Sequence, residues 1–471
     1  MATFLTVDLG TSRLKVAAFA PNGELLQQAA VRHKPGVDGQ NADHWWNGTV
    51  RLIGALLSGR VIAKDVVGVS LCGRAGAGVF LDHAGQVLVH PWDDQRHSTE
   101  LASLRAWRSD GRHLANYGAA LVAKFLWLRR QAPEIARRCR RALYAKDFVL
   151  FRLTGAHMTD WSSGPDAPQW DPQLLEHFDL PPDLLPTPAL PWQIAGRLTA
   201  AAARETGLTE GIPVAVGAHD GICANVGAGA TRPGEYAITL GTHAVVRTPS
   251  IDPPANAYRF YSLPPDRHII GGNAIQGGRS VDWLLDVTRA DDRPGAYASA
   301  AKGAAAIDPG ADGVRFLPFL SGQVAPELRP AASGAFLGLA LRHGNATLHR
   351  AVLEGVSFAI ADIADQVVGW CGPPTRVRLT GGGATSTLWP QILAAVLGTP
   401  LECSDEAVEG RGAAIFLAVA LGIQSDYDAA ADAMVPSPRR IAADANAVLR
   451  YRDVRRHWQQ VRDATRVLDD L

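Results

Sequence analysis

Residues 3–19 read TFLTVDLGTSRLKVAAF, and this stretch decides the fold. Phe4 to Val7 is a short apolar run of strand formers, Asp8-Leu9-Gly10-Thr11-Ser12 is a tight turn, and Leu14 to Phe19 is a second strand. Pro21-Asn22-Gly23 then signals a turn into Glu24-Leu25-Leu26, so the chain opens on a β-meander. At Tyr236 the pattern returns: the strand Tyr236-Ala-Ile-Thr-Leu, the turn Gly241-Thr242-His243, and the strand Ala244-Val-Val-Arg. Two domains that each begin with the same hairpin are expected. Gly, Ala and Pro concentrate between Gly229 and Pro233, which sets the domains at 1–230 and 231–471.

Outward from the hairpin, helical spacing recurs. Trp45, Trp46, Val50, Ile53 and Leu57 mark a helix from His44 to Leu57, and Val66 to Leu71 reads as a buried strand. Helices are predicted for Ala119 to Arg130, Pro133 to Phe151, Ile222 to Val226, Leu388 to Leu397 and Ala447 to Leu471. The stretch from Asp160 to Leu198, rich in Pro, Trp and Asp, reads as long loops. The class is α/β, each half pairing a sheet with helices.

Composition excludes several functions. The chain has 471 residues, of which 47% are hydrophobic and 20% charged, as in ordinary soluble proteins. Lys+Arg and Asp+Glu both total 46, so no basic field exists for nucleic acid or an anionic membrane. Cys72, Cys139, Cys223, Cys371 and Cys403 are scattered without a CxxC pair, which fits a reducing cytoplasm rather than disulfides or zinc. Met-Ala-Thr-Phe lacks the basic start and apolar stretch of a signal peptide, and the longest apolar run, Ala413 to Leu421, is too short to span a bilayer.

Three segments carry chemistry. Asp8 with Gly10, Thr11, Ser12 and Lys15 forms a donor-rich turn suited to phosphate oxygens. Asp8 is placed to hold a hydrated Mg2+, and Lys15 to neutralise phosphate charge; a plain surface hairpin accounts for the residues equally well. Gly217-Ala218-His219-Asp220-Gly221 follows a strand. Its carboxylate is either a general base for a hydroxyl or the cap of the next helix. Gly381-Gly382-Gly383-Ala384-Thr385-Ser386 lies between a strand and a helix, where glycines admit a ring or phosphate close to the backbone. It is not the dinucleotide fingerprint, because Ser386 stands where the last Gly belongs, and the chain has no GxxxxGK[ST], HExxH or GxSxG.

Taken together, these segments resemble the FGGY family of carbohydrate kinases. Asp8 to Ser12 is similar to its first phosphate motif, Gly241-Thr242 to the second, Gly381 to Ala384 to its adenosine motif, and Gly412-Ala413-Ala414 to the segment after it. Lys124 to Trp127, Ala132-Pro133-Glu134, Lys146-Asp147-Phe148, Thr159-Asp160, Phe316 to Gly322, Gly334 to Gly338 and Glu354 to Phe358 follow in the family's order.

The resemblance implies two actin/hexokinase-like (RNase H-like) domains around an interdomain cleft that binds ATP and closes on a small sugar or polyol. It implies Asp220 as catalytic base and Asp8 as the metal-linked carboxylate. Gly10, Thr11, Ser12, Lys15, Gly241, Thr242, Gly381, Gly382, Gly383 and Ala384 would contact nucleotide, and Arg74, Trp92, Asp93 and Asp220 the sugar. A homodimer is a family-based expectation.

The chain departs from the pattern in two places. His243 replaces the usual Ser, and Cys72-Gly73-Arg74-Ala75-Gly76 replaces a Gln-containing sugar-contacting segment. Trp92-Asp93-Asp94 is similar to the Trp-Asn-Asp segment of xylulose-specific members, which favours a ketopentose such as xylulose. The Gly after Asp220 is similar to gluconate-specific members, for whose carboxylate Arg74 is a bidentate partner. Other polyols or ketoses, and a non-catalytic nucleotide- or sugar-binding protein of the same fold, stay open. Arg74 has an alternative partner in Asp93 or Asp94.

Overall fold

The computed structural model describes residues 2–33, 41–92, 94–107, 116–274, 276–288, 295–404 and 407–470. They form two compact units. The first runs to Gly229 and also takes Tyr261–Asp266 and Ala407–Pro436; the second holds the intervening residues and those from Ser437 onward. Two segments of the 231–471 half, Tyr261–Asp266 and Ala407–Pro436, thus pack with the first unit.

In the first unit, β1 (Thr3–Leu9), β2 (Arg13–Phe19) and β3 (Leu25–Arg32) form the meander. After α1 (Ala42–Leu57) comes β4 (Val66–Gly73), then α2 (Ala145–Thr154), β5 (Pro213–Ala215), β6 (Ala218–His219) and α3 (Asp220–Gly227). Within its sheet the order runs β5-β4-β1-β2-β3, with β6 also pairing β4 and the strand Ile194–Arg197 outside β5. All seven residues of β1 are buried, as suits a central strand covered on both faces. On α1, Trp45, Thr49, Leu52, Ile53 and Leu56 recur at helical spacing and bury against Leu5, Val7, Leu14 and Val16.

The second unit repeats this order. β7 (Glu235–Leu240) and β8 (Ala244–Ser250) form its hairpin and β9 (Arg267–Ala274) continues it. Then follow α4 (Gly278–Val287), α5 (Asn345–Cys371), β10 (Arg376–Thr380), α6 (Leu388–Leu397) and β11 (Leu401–Cys403). The order β9-β8-β7-β10-β11 matches β3-β2-β1-β4-β5 position by position. In both units the first hairpin strand pairs antiparallel with the second and parallel with a later strand. α7 (Val408–Ala420) returns to the first unit, and α8 (Ala445–Ala464) closes the second, burying Trp458 and Tyr451 with Phe358 and Phe316.

Two local expectations are corrected. The stretch from Pro133 to Phe151 is not one helix: Pro133–Arg138 and α2 flank a strand, Arg141–Leu143, which pairs with Val79–Leu81. The 160–198 stretch contains the helix Pro172–His177 and the strands Thr187–Ala189 and Ile194–Arg197.

Candidate active site

In the first unit the candidate residues gather where three parallel strands end. Asp8 lies opposite Cys72, and Cys72 opposite Ala218; Leu9 lies opposite Gly73, and Gly73 opposite His219. The Gly10–Ser12 turn, Arg74 and Asp220 each follow directly from these ends. Ligands in open α/β sheets bind outside such carboxyl ends. The Arg74 backbone N–H donates to Leu9 O at 3.0 Å, fixing the two loops side by side. His33 Nε2 lies 3.0 Å from Gly10 O, bracing the turn from below.

Asp8 is 5% exposed. Burial pushes its carboxyl up to about 6, against the opposing pull of Lys15. Asp220 and Glu409 act on it as further negative charges. Asp8 Oδ1 is buried and meets no protein donor among the described residues. Such an orphan oxygen suits a hydrated cation, which commonly uses one or two carboxylates; the site fits Mg2+. Lys15 Nζ stands 3.3 Å from Asp8 Oδ2 and 3.4 Å from Glu409 Oε2. Burial alone would lower its pKa, but the two carboxylates outweigh that and raise it. The ammonium is thus a counter-ion to two carboxylates as well as a neighbour of the turn. Glu409 was missed in the sequence because nothing in Val408-Glu409-Gly410 announces that α7 crosses back to Lys15.

Asp220 is the first residue of α3, and His219 is the N-cap. His219 Nδ1 accepts from the Gly221 N–H at 3.0 Å. The capping alternative for Asp220 is therefore corrected: a histidine does that work. The Asp220 side chain stays 29% exposed, with Oδ1 3.3 Å from His219 Nε2. α3 itself is held by α7, since Gly412 meets the Cys223 backbone and Gly227 the Val408 backbone. The Gly412-Ala413-Ala414 segment thus serves a close helix crossing.

Arg74 is half-buried beside the turn and bears on His33 electrostatically. Asp94 is engaged elsewhere, accepting from Arg96 Nε at 2.7 Å. Asp93 lies outside the described residues. Trp92 is 3% exposed, 5.3 Å ring to ring from Trp127 and 6.3 Å from Phe80, with Lys124 Nζ 4.7 Å from its ring centroid. Its Nε1–H is buried and has no acceptor among the described residues.

In the second unit three glycine turns meet. Gly381, at φ 86°, and Gly383 leave no room for a Cβ against Leu240 and the start of the Gly241 turn. The N–H groups of Gly277 and Gly278 donate to Thr242 O (3.0 Å) and Gly241 O (2.7 Å). Around Gly382 space is open, and Ala384 is buried. Gly241, Thr242 and Gly381 to Ala384 are thereby brought together, forming a small-residue cradle of the kind that admits a nucleotide. His243 is exposed at the turn, its pKa lowered by partial burial and by Arg279. Gln276, 3% exposed beside this turn, has neither amide atom paired among the described residues. It went unnoticed because a single Gln carries no motif.

A repeated meander-plus-parallel sheet, with glycine-bearing turns at the strand ends in both halves and a carboxylate beside one of them, is the arrangement expected of a phosphotransferase of the sugar-kinase class. The N-terminal domain of the FGGY family of carbohydrate kinases matches residues 3–227 and its C-terminal domain residues 237–421; the chain belongs to this family. It is an ATP-dependent sugar kinase. It is 31% identical over 422 residues to the xylulose kinase of Escherichia coli K12, covering 85% of this chain and 86% of that protein. It is 26% identical over 494 residues to the gluconokinase of Bacillus subtilis 168, covering 95% and 93%. The crystal structure of xylulose kinase from Rhodospirillum rubrum superposes over 100% of both chains with a TM-score of 0.85 at 25% identity. Among the described residues no helix is long and apolar enough to cross a membrane.

Proposed function

We propose that the chain transfers the γ-phosphate of ATP to a hydroxyl of a ketopentose of the xylulose type, with Asp220 as general base. The observation that carries this reading is the Asp220 carboxylate: relieved of capping by His219, partly exposed, and set at the strand ends beside the Gly10 turn. A positioned base of this kind contributes about 10²–10⁴-fold. The similarity to xylulose kinases supports the ketopentose. The Trp92 Nε1–H supports it too, as a buried donor with no acceptor among the described residues suits a sugar hydroxyl.

In this reading the first unit supplies sugar contacts through Arg74, Trp92 and Asp93, along with the base and the first phosphate turn of Gly10, Thr11 and Ser12. The second supplies Gly241, Thr242, Gly381, Gly382, Gly383 and Ala384 to the nucleotide. Asp8 is the residue for Mg2+, which when bound neutralises charge on the transferred phosphoryl group. Lys15 keeps Asp8 ionised against the effect of burial. Asp220 takes the proton of the attacking hydroxyl. A cytoplasmic location, in keeping with the unpaired cysteines, and a homodimer complete the reading.

Gluconate is the second reading, favoured by Arg74 at the strand ends and by the similarity to gluconokinase. ADP release with Mg-ATP across xylulose, ribulose, gluconate, glycerol and erythritol tests both. Xylulose is expected to give the highest kcat/KM. A preference for gluconate that is lost in Arg74→Ala establishes the second reading, and no turnover with any acceptor contradicts both.

A further inference from the structure

Both ring nitrogens of His219 face the start of the helix that Asp220 opens. Its Nδ1 accepts from the Gly221 N–H at 3.0 Å. A nitrogen that accepts carries no proton, so the neutral ring is protonated on Nε2. That Nε2 lies 3.3 Å from Asp220 Oδ1, within reach of the carboxylate. The ring has little freedom to leave this pose. It is 6% exposed, stacks on Tyr117 at 4.8 Å and 27°, and meets Tyr261 at 5.0 Å, all within the first unit.

The backbone beneath the ring is fixed as well. The His219 N–H donates to Ser162 Oγ at 3.3 Å, Ser162 Oγ donates to Asp160, and Asp160 lies 2.8 Å from the buried Lys146 ammonium. A carboxylate in the first turn of a helix can otherwise turn back on the open backbone N–H groups there. Here the cap is taken by His219 and its other nitrogen faces Oδ1, which leaves Oδ2 as the oxygen turned to a substrate hydroxyl in the proposal below.

We propose that His219 is a positioning residue for phosphoryl transfer: as the Nε2–H tautomer it holds Asp220 through Oδ1 and presents Oδ2 to the acceptor hydroxyl. The proposal rests on the reading of Asp220 as the base. His219 takes up no proton in the reaction; the hydroxyl proton goes to Asp220.

Two measurements test it, one independent of turnover. In protein labelled with 15N-histidine, long-range 1H–15N spectra report the tautomer, with the signal assigned by its loss in His219→Asn. An Nε2–H tautomer whose Nε2 resonance moves in Asp220→Asn is expected; an Nδ1–H tautomer overturns the proposal whether or not the enzyme turns over. The second measurement compares two variants. His219→Asn keeps a good cap but is too short to reach Asp220, whereas His219→Gln puts its amide near the Nε2 position. His219→Asn is expected to keep its Tm within a few degrees and to lose on the order of 10–100-fold in kcat, with KM for ATP unchanged. His219→Gln is expected to regain several-fold of that loss. If His219→Asn stays within twofold of wild-type kcat, the residue is a cap alone. A wild type without turnover on any sugar would defeat the kinase reading, and the tautomer result would still decide this one.

Discussion

Gly227 and Gly412 stand face to face across two helices with no space for a side chain on either. A Cβ on Gly227 would sit 1.9 Å from Val408 O, and one on Gly412 2.0 Å from Cys223 O. This crossing ties α3, which begins with Asp220, to α7, which carries Glu409 to Lys15. Gly412→Ala forces the helices apart. It is expected to cost about 1–3 kcal/mol by denaturant unfolding and to lower kcat more than KM, because Asp220 moves with α3. Wild-type stability and turnover in that variant would show the crossing to be slack.

Beneath the same site, Lys146 is enclosed by Asp147 at 2.5 Å and Asp160 at 2.8 Å, with all three side chains fully buried. Burial pushes the Asp147 carboxyl up to about 6 despite Lys146, whereas for Asp160 the ammonium and the two serines outweigh burial and hold it low. Lys146→Met leaves two buried carboxylates without their cation. A loss of about 3–5 kcal/mol is expected by urea unfolding, and Lys146→Met/Asp147→Asn should recover part of it. A loss below 1 kcal/mol in Lys146→Met would mean the cluster is solvated.

How far the sequence spoke depended on whether a residue's partner was near in the chain. The opening hairpin and its echo at Tyr236 were legible because runs of strand formers and the Gly-Thr turns are local, and α6 was read at its observed limits, Leu388–Leu397. The strand Arg141–Leu143 was hidden inside a helical pattern, because its partner Val79–Leu81 lies about sixty residues earlier. Glu409 was hidden for a similar reason: its partner Lys15 is 394 residues away. The choice between base and cap for Asp220 stayed open in the sequence because His is an uncommon cap, and only the His219 contact with Gly221 reveals which residue caps.

Acid should unfold both units through buried histidines. Burial lowers His349 in the second unit and His157 in the first to about 4. A depressed histidine contributes stability above its unfolded value of about 6.5, and loses it as pH falls through about 4. For His349, 4% exposed, the contribution is on the order of 3 kcal/mol. His349→Leu should flatten the fall in stability between pH 7 and pH 4.5. An unchanged pH dependence would show that His349 ionises freely in the fold.

Gln276 has two buried amide atoms without a partner among the described residues, beside the Gly241-Thr242 turn. Each unmade bond costs about 1–3 kcal/mol, which a bound ligand would recover. Gln276→Met should raise the Tm of the ligand-free protein and shrink the further rise on adding ADP. A variant with a lower Tm and an undiminished ADP shift would contradict this.

The most direct test of the account is Asp220→Asn, measured both for ADP release with the best sugar and for ADP affinity by calorimetry. Loss of about 10²–10⁴-fold in kcat with unchanged ADP affinity is the predicted result. Turnover within a few-fold of wild type would contradict the assignment of Asp220 as the base.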